Sequence, residues 1–149
     1  MTDGEAIALA LAEAQAAAER GEVPVGAVII HEGETLAEAH NETEHRADPT
    51  AHAEVLAIQH ALRQGHAARL LESTLYVTLE PCAQCAGAIV LARLRRVVFG
   101  AFDQRAGMVG SVHDLLRHPR LNPRPEVVSG LRAEACGELL KGFFRSKRQ

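Results

Sequence analysis

Several things are scarce in this chain of 149 residues, and each scarcity excludes a class of protein. No apolar stretch reaches the length needed to cross a bilayer, so no membrane partner is expected. The N-terminus opens with Asp3 and Glu5 rather than with a basic region and an apolar run, so a secretory leader is not expected. Cysteines number only three, an odd count that argues against a disulfide framework and for a reducing, cytoplasmic setting. Repeats, low-complexity tracts and linkers are lacking, which makes one domain over residues 1–149 the economical reading. Hydrophobic residues at 47% are enough for a packed core at this length.

The chain also lacks an excess of positive charge, since its formal net charge is -3. That total hides an asymmetry. Residues 1–75 hold 4 Lys and Arg against 13 Asp and Glu, whereas residues 76–149 hold 12 against 6. Three basic groups stand out: Arg93, Arg95 and Arg96; Arg117, Arg120 and Arg124; and Lys141, Arg145, Lys147 and Arg148. Local patches, not totals, steer a polyanion, and an enzyme for a free base has no need of this bias.

What is present is a small set of metal-loving side chains. Two strings carry them, Thr50-Ala51-His52-Ala53-Glu54 and Glu80-Pro81-Cys82-Ala83-Gln84-Cys85. A lone Cys-x-x-Cys also fits a redox pair, half of a zinc ribbon, or two cysteines on a helix, and a lone His-x-Glu is weaker still. Together they offer one imidazole and two thiolates, a donor set that suits Zn2+ and leaves a fourth tetrahedral position for water. Glu54, two residues past the His, stands to handle the protons of that water. The combination matches the general pattern of zinc nucleobase deaminases.

The surrounding sequence places both strings at helix starts. Asp48 is expected to cap a helix with Pro49 at its first position, which puts His52 in the first turn of a helix running to about Gln64 and stopped by Gly65. Thr74 to Leu79 alternates as a strand does, and Glu80-Pro81 then opens a helix with Cys82 and Cys85 on one face of its first turn. Helix N-termini favour the thiolate form that binds metal. The wider pattern is a helix over 3–20, strands over 25–30 and 35–40, the His52 helix, the 74–79 strand, and the cysteine helix to about Ala92. A strand over 96–99, a short helix near 111–117, a strand over 125–129 and a helix over 131–145 complete it. Helices alternating with strands imply a sheet covered on both faces. The cysteine helix is apolar nearly all round, hence deeply buried or lying in a subunit contact. Cys136 and Tyr76 read as core residues, and His31, His60, His66 and His118 as surface residues without a nameable partner.

Across nearly its whole length, from about Ala6 to Arg148, the chain resembles the bacterial tRNA adenosine deaminases of the TadA type, with a cytidine-deaminase-like fold. The resemblance rests on Pro24-Val25-Gly26-Ala27, Asn41, Asp48 to Glu54, Leu75 to Cys82 and Val98-Phe99-Gly100-Ala101. The stretch from Phe99 to Ser111, with Asp103 and Gly110-Ser111, points to the tRNA branch, although Phe102 and Met108-Val109 depart from the commoner wording. The resemblance implies a three-layer α/β/α architecture around a mixed five-stranded sheet. It implies one Zn2+ per subunit on His52, Cys82 and Cys85, with Glu54 as the proton carrier. Asn41 and Asp103 would contact the nucleotide, and Val25 and Leu79 would wall the pocket. The implied activity is conversion of the wobble adenosine of a tRNA anticodon stem-loop to inosine by a homodimer. A free-base or nucleotide deaminase acting on guanine, cytosine or deoxycytidylate shares the same zinc centre, and a non-catalytic zinc RNA-binding module stays open as a third reading.

Overall fold

A computed structural model of the chain describes residues 1–148. Ten elements follow in order: α1 (Asp3–Glu19), β1 (Gly26–His31), β2 (Glu34–His40), α2 (Ala53–Arg63), α3 (Ala67–Leu70), β3 (Thr74–Leu79), α4 (Ala83–Ala92), β4 (Arg96–Ala101), β5 (Glu126–Val128) and α5 (Ala133–Lys147). The strands form one five-stranded sheet in the order β2-β1-β3-β4-β5. β1 runs antiparallel to both β2 and β3, while β3, β4 and β5 are parallel. Helices α1 and α5 cover one face, and α2, joined to α4, covers the other. This is the three-layer mixed α/β sheet expected from the sequence.

Side chains alternate across the sheet, so the central strands β1, β3 and β4 feed two cores. Ala27, Ile29, Leu75, Val77, Val97 and Phe99 point into the larger one, with α2 and α4. Val28, Ile30, Tyr76 and Val98 point into the smaller one, against Ala6, Ile7 and Ala10 of α1. Close approach is what makes the α1 contact possible. Gly26 faces the backbone of Ala10 and Ala14, where any Cβ would overlap it. Gly100 does the same for α5, leaving room for the buried Cys136 thiol. At the start of α1, Thr2 and Glu5 form a reciprocal capping box that satisfies two free N–H groups.

Several local expectations need correction. No helix forms over 111–117. The amides there bond within the loop, Val112 to the Gly107 carbonyl and Leu115 to the Met108 carbonyl, each at 2.8 Å, rather than to a carbonyl four residues back. The one-turn helix α3 is too short to show a period in sequence. Of the two readings of the apolar helix α4, deep burial is removed and a subunit contact stays open: Cys85, Ala86 and Ile89 face the core, while Leu91 is 85% exposed. His31 does have a partner, Glu72 at 3.4 Å. Arg96, from one of the basic groups, is tied down rather than free to steer a polyanion. Its guanidinium donates to both Asp3 carboxylate oxygens at 2.7 and 2.6 Å, and the Tyr76 hydroxyl donates to the same carboxylate at 2.6 Å.

Candidate active site

Ligands of parallel sheets gather at the carboxyl ends of the strands, and here β3 and β4 end together at Leu79 and Ala101. Because β1 is antiparallel, its beginning lies at the same edge, as does the end of β2; Gly26 pairs with His40. Helices α2 and α4 start there too. His52 and Cys82 occupy their N-cap positions, with extended backbone, rather than the first turns that the sequence suggests. Asp48 does not cap α2. It closes its own turn by accepting from the Thr50 amide at 2.9 Å and the Thr50 hydroxyl at 2.7 Å. The cap carbonyls still start the helices, His52 accepting from Leu56 at 3.0 Å and Cys82 from Ala86 at 2.8 Å. Neither residue makes a side-chain capping bond, and both side chains turn toward the site.

There they meet Cys85. His52 Nδ1 lies 3.5 Å from each of Cys82 Sγ and Cys85 Sγ, and the three donor atoms fall within 4.8 Å of one another. Cys85 is buried, and the other two are partly exposed toward a cavity of about 250 Å³. That cavity is lined by Val25, Asn41, His52, Glu54, Leu79, Cys82 and Asp103, with Cys85 beneath. All eight side chains singled out in sequence therefore converge on one place, from segments up to 78 positions apart in the chain (Val25 to Asp103).

The electrostatics are those of a cation site. Cys82 is held low, at about 3, because the Cys85 thiol donates to it; burial opposes this, and the His52 imidazole adds to it. Cys85 is pushed up because it donates to the Cys82 sulfur and is buried, with the Glu54 charge adding to the rise. Contact with Cys82 raises His52, and burial works against the rise. One imidazole and two sulfurs sharing protons at this distance are a donor set that a divalent ion fits by displacing those protons. Glu54, 4% exposed, is pushed up to about 7, mainly by burial.

A family model described as MafB19-like deaminase matches residues 1–148. The chain is 51% identical over 142 residues to the tRNA-specific adenosine deaminase of Bacillus subtilis, covering 94% of this chain and 87% of that protein. It is 48% identical to the Aquifex aeolicus protein of the same name, covering 94% and 92%. The chain belongs to the tRNA-specific adenosine deaminase family. A solved structure from work on A-to-I editing by tRNA:A34 deaminases at the wobble position of transfer RNA superposes with a TM-score of 0.86 at 43% identity, covering 91% of this chain and 99% of that one. A guanine deaminase from Nitrosomonas europaea shares the fold, with a TM-score of 0.80 at 22% identity.

Five further residues of this deaminase line the cavity, and sequence reasoning misses them as site residues: Val23, Thr43, Ala53, Glu80 and Ala106. Thr43 accepts from the Asn41 side-chain amide at 3.4 Å and so orients it. Glu80 reads in sequence only as a helix opener, yet it is 2% exposed. Burial works against its charge, but the Ser111 hydroxyl and three backbone N–H groups hold its carboxyl below the ordinary range. Beyond Asp103 and Ala106 the cavity continues into a groove of about 710 Å³ lined by Phe102, Arg105, Lys141, Phe144, Arg145 and Arg148. Of the three basic groups in the sequence, the one on α5 lines the groove. Arg96 is committed to Asp3 at the other end of β4, and Arg117 to Asp114.

Proposed function

We propose that this chain is a single deaminase domain that converts the wobble adenosine of a tRNA anticodon stem-loop to inosine with one bound Zn2+. The observation that carries this reading is the meeting of His52, Cys82 and Cys85 with a buried Glu54, outside that donor cluster, in one pocket that opens into a basic groove. His52, Cys82 and Cys85 would hold the ion, whose Lewis acidity activates water for attack when it is bound.

The chain's own residues do the rest. A loop base is unpaired, so drawing it into the pocket costs less than opening a duplex. Asn41 hydrogen-bonds the base, Val25 and Leu79 hold its faces, and Asp103 contacts the nucleotide at the pocket mouth. Water adds at C6, and Glu54 takes its proton and passes it to the ring nitrogen. The C6–N bond then breaks as Glu54 takes the proton of the new C6 hydroxyl and hands it to the departing amine, so the C6 carbonyl forms and ammonia leaves inosine behind. Burial poises Glu54 for both directions, since a group near neutrality both accepts and returns a proton. Lys141, Arg145 and Arg148 with Arg105 hold loop phosphates in the groove. A cytoplasmic enzyme is consistent with free thiols, and among the described residues no helix is long and apolar enough to cross a membrane.

The outward face of α4, ending in Leu91, is read as a contact between two copies of the chain. The deciding experiment assays inosine in a tRNA anticodon stem-loop beside ammonia release from free guanine, cytosine and cytidine. Inosine in the stem-loop with inert free bases is expected; turnover of a free base alone would overturn the reading.

A further inference from the structure

The Glu80 carboxylate is buried beside the site, and the deamination steps make no use of it. Each of its oxygens accepts twice. Oε1 takes the Asp103 amide at 3.0 Å and the Ser111 hydroxyl, while Oε2 takes the Val109 amide at 2.9 Å and the Ser111 amide at 3.0 Å. Segment 103–111 is thus wrapped around one anion through backbone N–H groups. Gly107 closes the wrap: a Cβ there would overlap the carboxylate itself. Neighbouring backbone bonds extend the same grip, with the Glu80 amide on the Ala101 carbonyl at 2.8 Å and the Met108 amide on the Pro81 carbonyl at 2.9 Å.

The wrapped segment is a wall of the substrate site. Asp103 and Ala106 line both the pocket and the basic groove, and Phe102 and Arg105 line the groove. Holding the Asp103 backbone also holds its side chain, which accepts from the Arg105 amide at 3.1 Å and the Ala106 amide at 3.2 Å. The metal-ligating side chains depend on other contacts. Cys82 is set by the start of α4 and His52 by the start of α2.

We propose that Glu80 is a positioning residue for RNA binding: its carboxylate organises the 103–111 segment into the wall that divides the base pocket from the basic groove. This rests on the functional reading above. The role is tied to substrate binding rather than to proton transfer, because the segment it holds begins at Asp103, which lines both the pocket and the groove. A buried hydrogen-bonded anion suits the task, since an unsatisfied carboxylate there would be costly and the folded segment brings two donors to each oxygen.

The test compares wild type with Glu80→Gln and with Gly107→Ala, which strikes the same contact from the opposite side. Each variant is measured for zinc content, for kcat and KM on an anticodon stem-loop, and for amide exchange at Val109 and Ser111. The expected result is a KM raised about 10-fold with kcat within about threefold, since a tenfold change corresponds to losing one or two such bonds. One zinc per chain is retained, and both amides exchange faster. Because the two variants break one contact, combining them adds little. Unchanged KM while the amides lose protection would overturn the proposal. Lost zinc, or lowered kcat at unchanged KM, would overturn it as well, by assigning Glu80 to the Cys82 turn. If neither variant folds, Ser111→Ala removes one donor of the four; a KM raised about threefold is expected, and an unaltered KM counts against the role. Wild type that makes no inosine fails the functional reading instead, and the amide exchange still reports on the wrap.

Discussion

Replacing Glu54 by Gln separates chemistry from architecture in this protein. The amide has the shape of the carboxylate and fits the same pocket, but it cannot exchange a proton in either direction. Glu54 is asked for four transfers in the proposed sequence: from water, to the ring nitrogen, from the C6 hydroxyl, and to the amine. A positioned acid–base group contributes about 10²–10⁴-fold, and one that serves every transfer belongs at the upper end, so a kcat loss of about 10⁴-fold is expected, near 5.5 kcal/mol of barrier. KM should move little, because the walls around the base are other residues. Zinc should stay bound, because the donor atoms within reach of one another belong to His52, Cys82 and Cys85.

The fold should not suffer either. Glu54 is 4% exposed, and burial is the main reason its carboxyl resists ionisation. In the metal-free protein at pH 8, a neutral amide removes a buried charge, so denaturant unfolding of the variant should be no easier than that of wild type. The assays are single-turnover inosine formation in the stem-loop, metal analysis, and urea unfolding of the metal-free chain. A variant within tenfold of wild-type turnover would refute the proton-carrier role. A variant that loses zinc would place the carboxylate among the ligands.

Three other perturbations probe the rest of the molecule. Asp3→Asn cuts the tie from α1 to Arg96. Asp3 is held at about 2, chiefly by hydrogen bonds from Arg96, so it stabilises the fold above its ordinary value of 3.8 and loses that effect as pH falls from there toward 2. With its side chain 36% exposed, the contribution after solvent screening is about 1 kcal/mol, and Tm at pH 7 should fall by about 2–4 °C while deamination is retained; an unaltered acid limb of the Tm curve would refute this. Converting Lys141 and Arg145 to Glu should weaken stem-loop binding and flatten its salt dependence by about 0.7 in log–log slope for each phosphate left without its cation. Leu91→Glu places a charge on the exposed end of α4, and sedimentation should then show a monomer; a dimer of unchanged affinity would move the interface elsewhere.

The difference between what is legible in the sequence and what is not follows the range of the forces involved. His52 and Glu54 lie within three residues, as do Cys82 and Cys85 within four, and metal chemistry restricts such donors to few residue types, so the centre is visible in the string. Strands β1 to β4 announce themselves by apolar runs and alternation. Glu80 is another matter. Its donors stand 23 to 31 residues away, are mostly backbone amides that nearly every residue possesses, and leave no trace in side-chain pattern. Glu22 repeats the case: buried, it accepts from the Glu44 amide at 3.0 Å and the His45 amide at 2.8 Å, and so holds the loop after Asn41. The donor cluster is therefore written in side chains, whereas the two loops beside the pocket are held by carboxylates reading backbone. A substitution at Glu22 or Glu80 should accordingly alter how the substrate fits while leaving the metal donors in place, and one at His52, Cys82 or Cys85 should do the reverse.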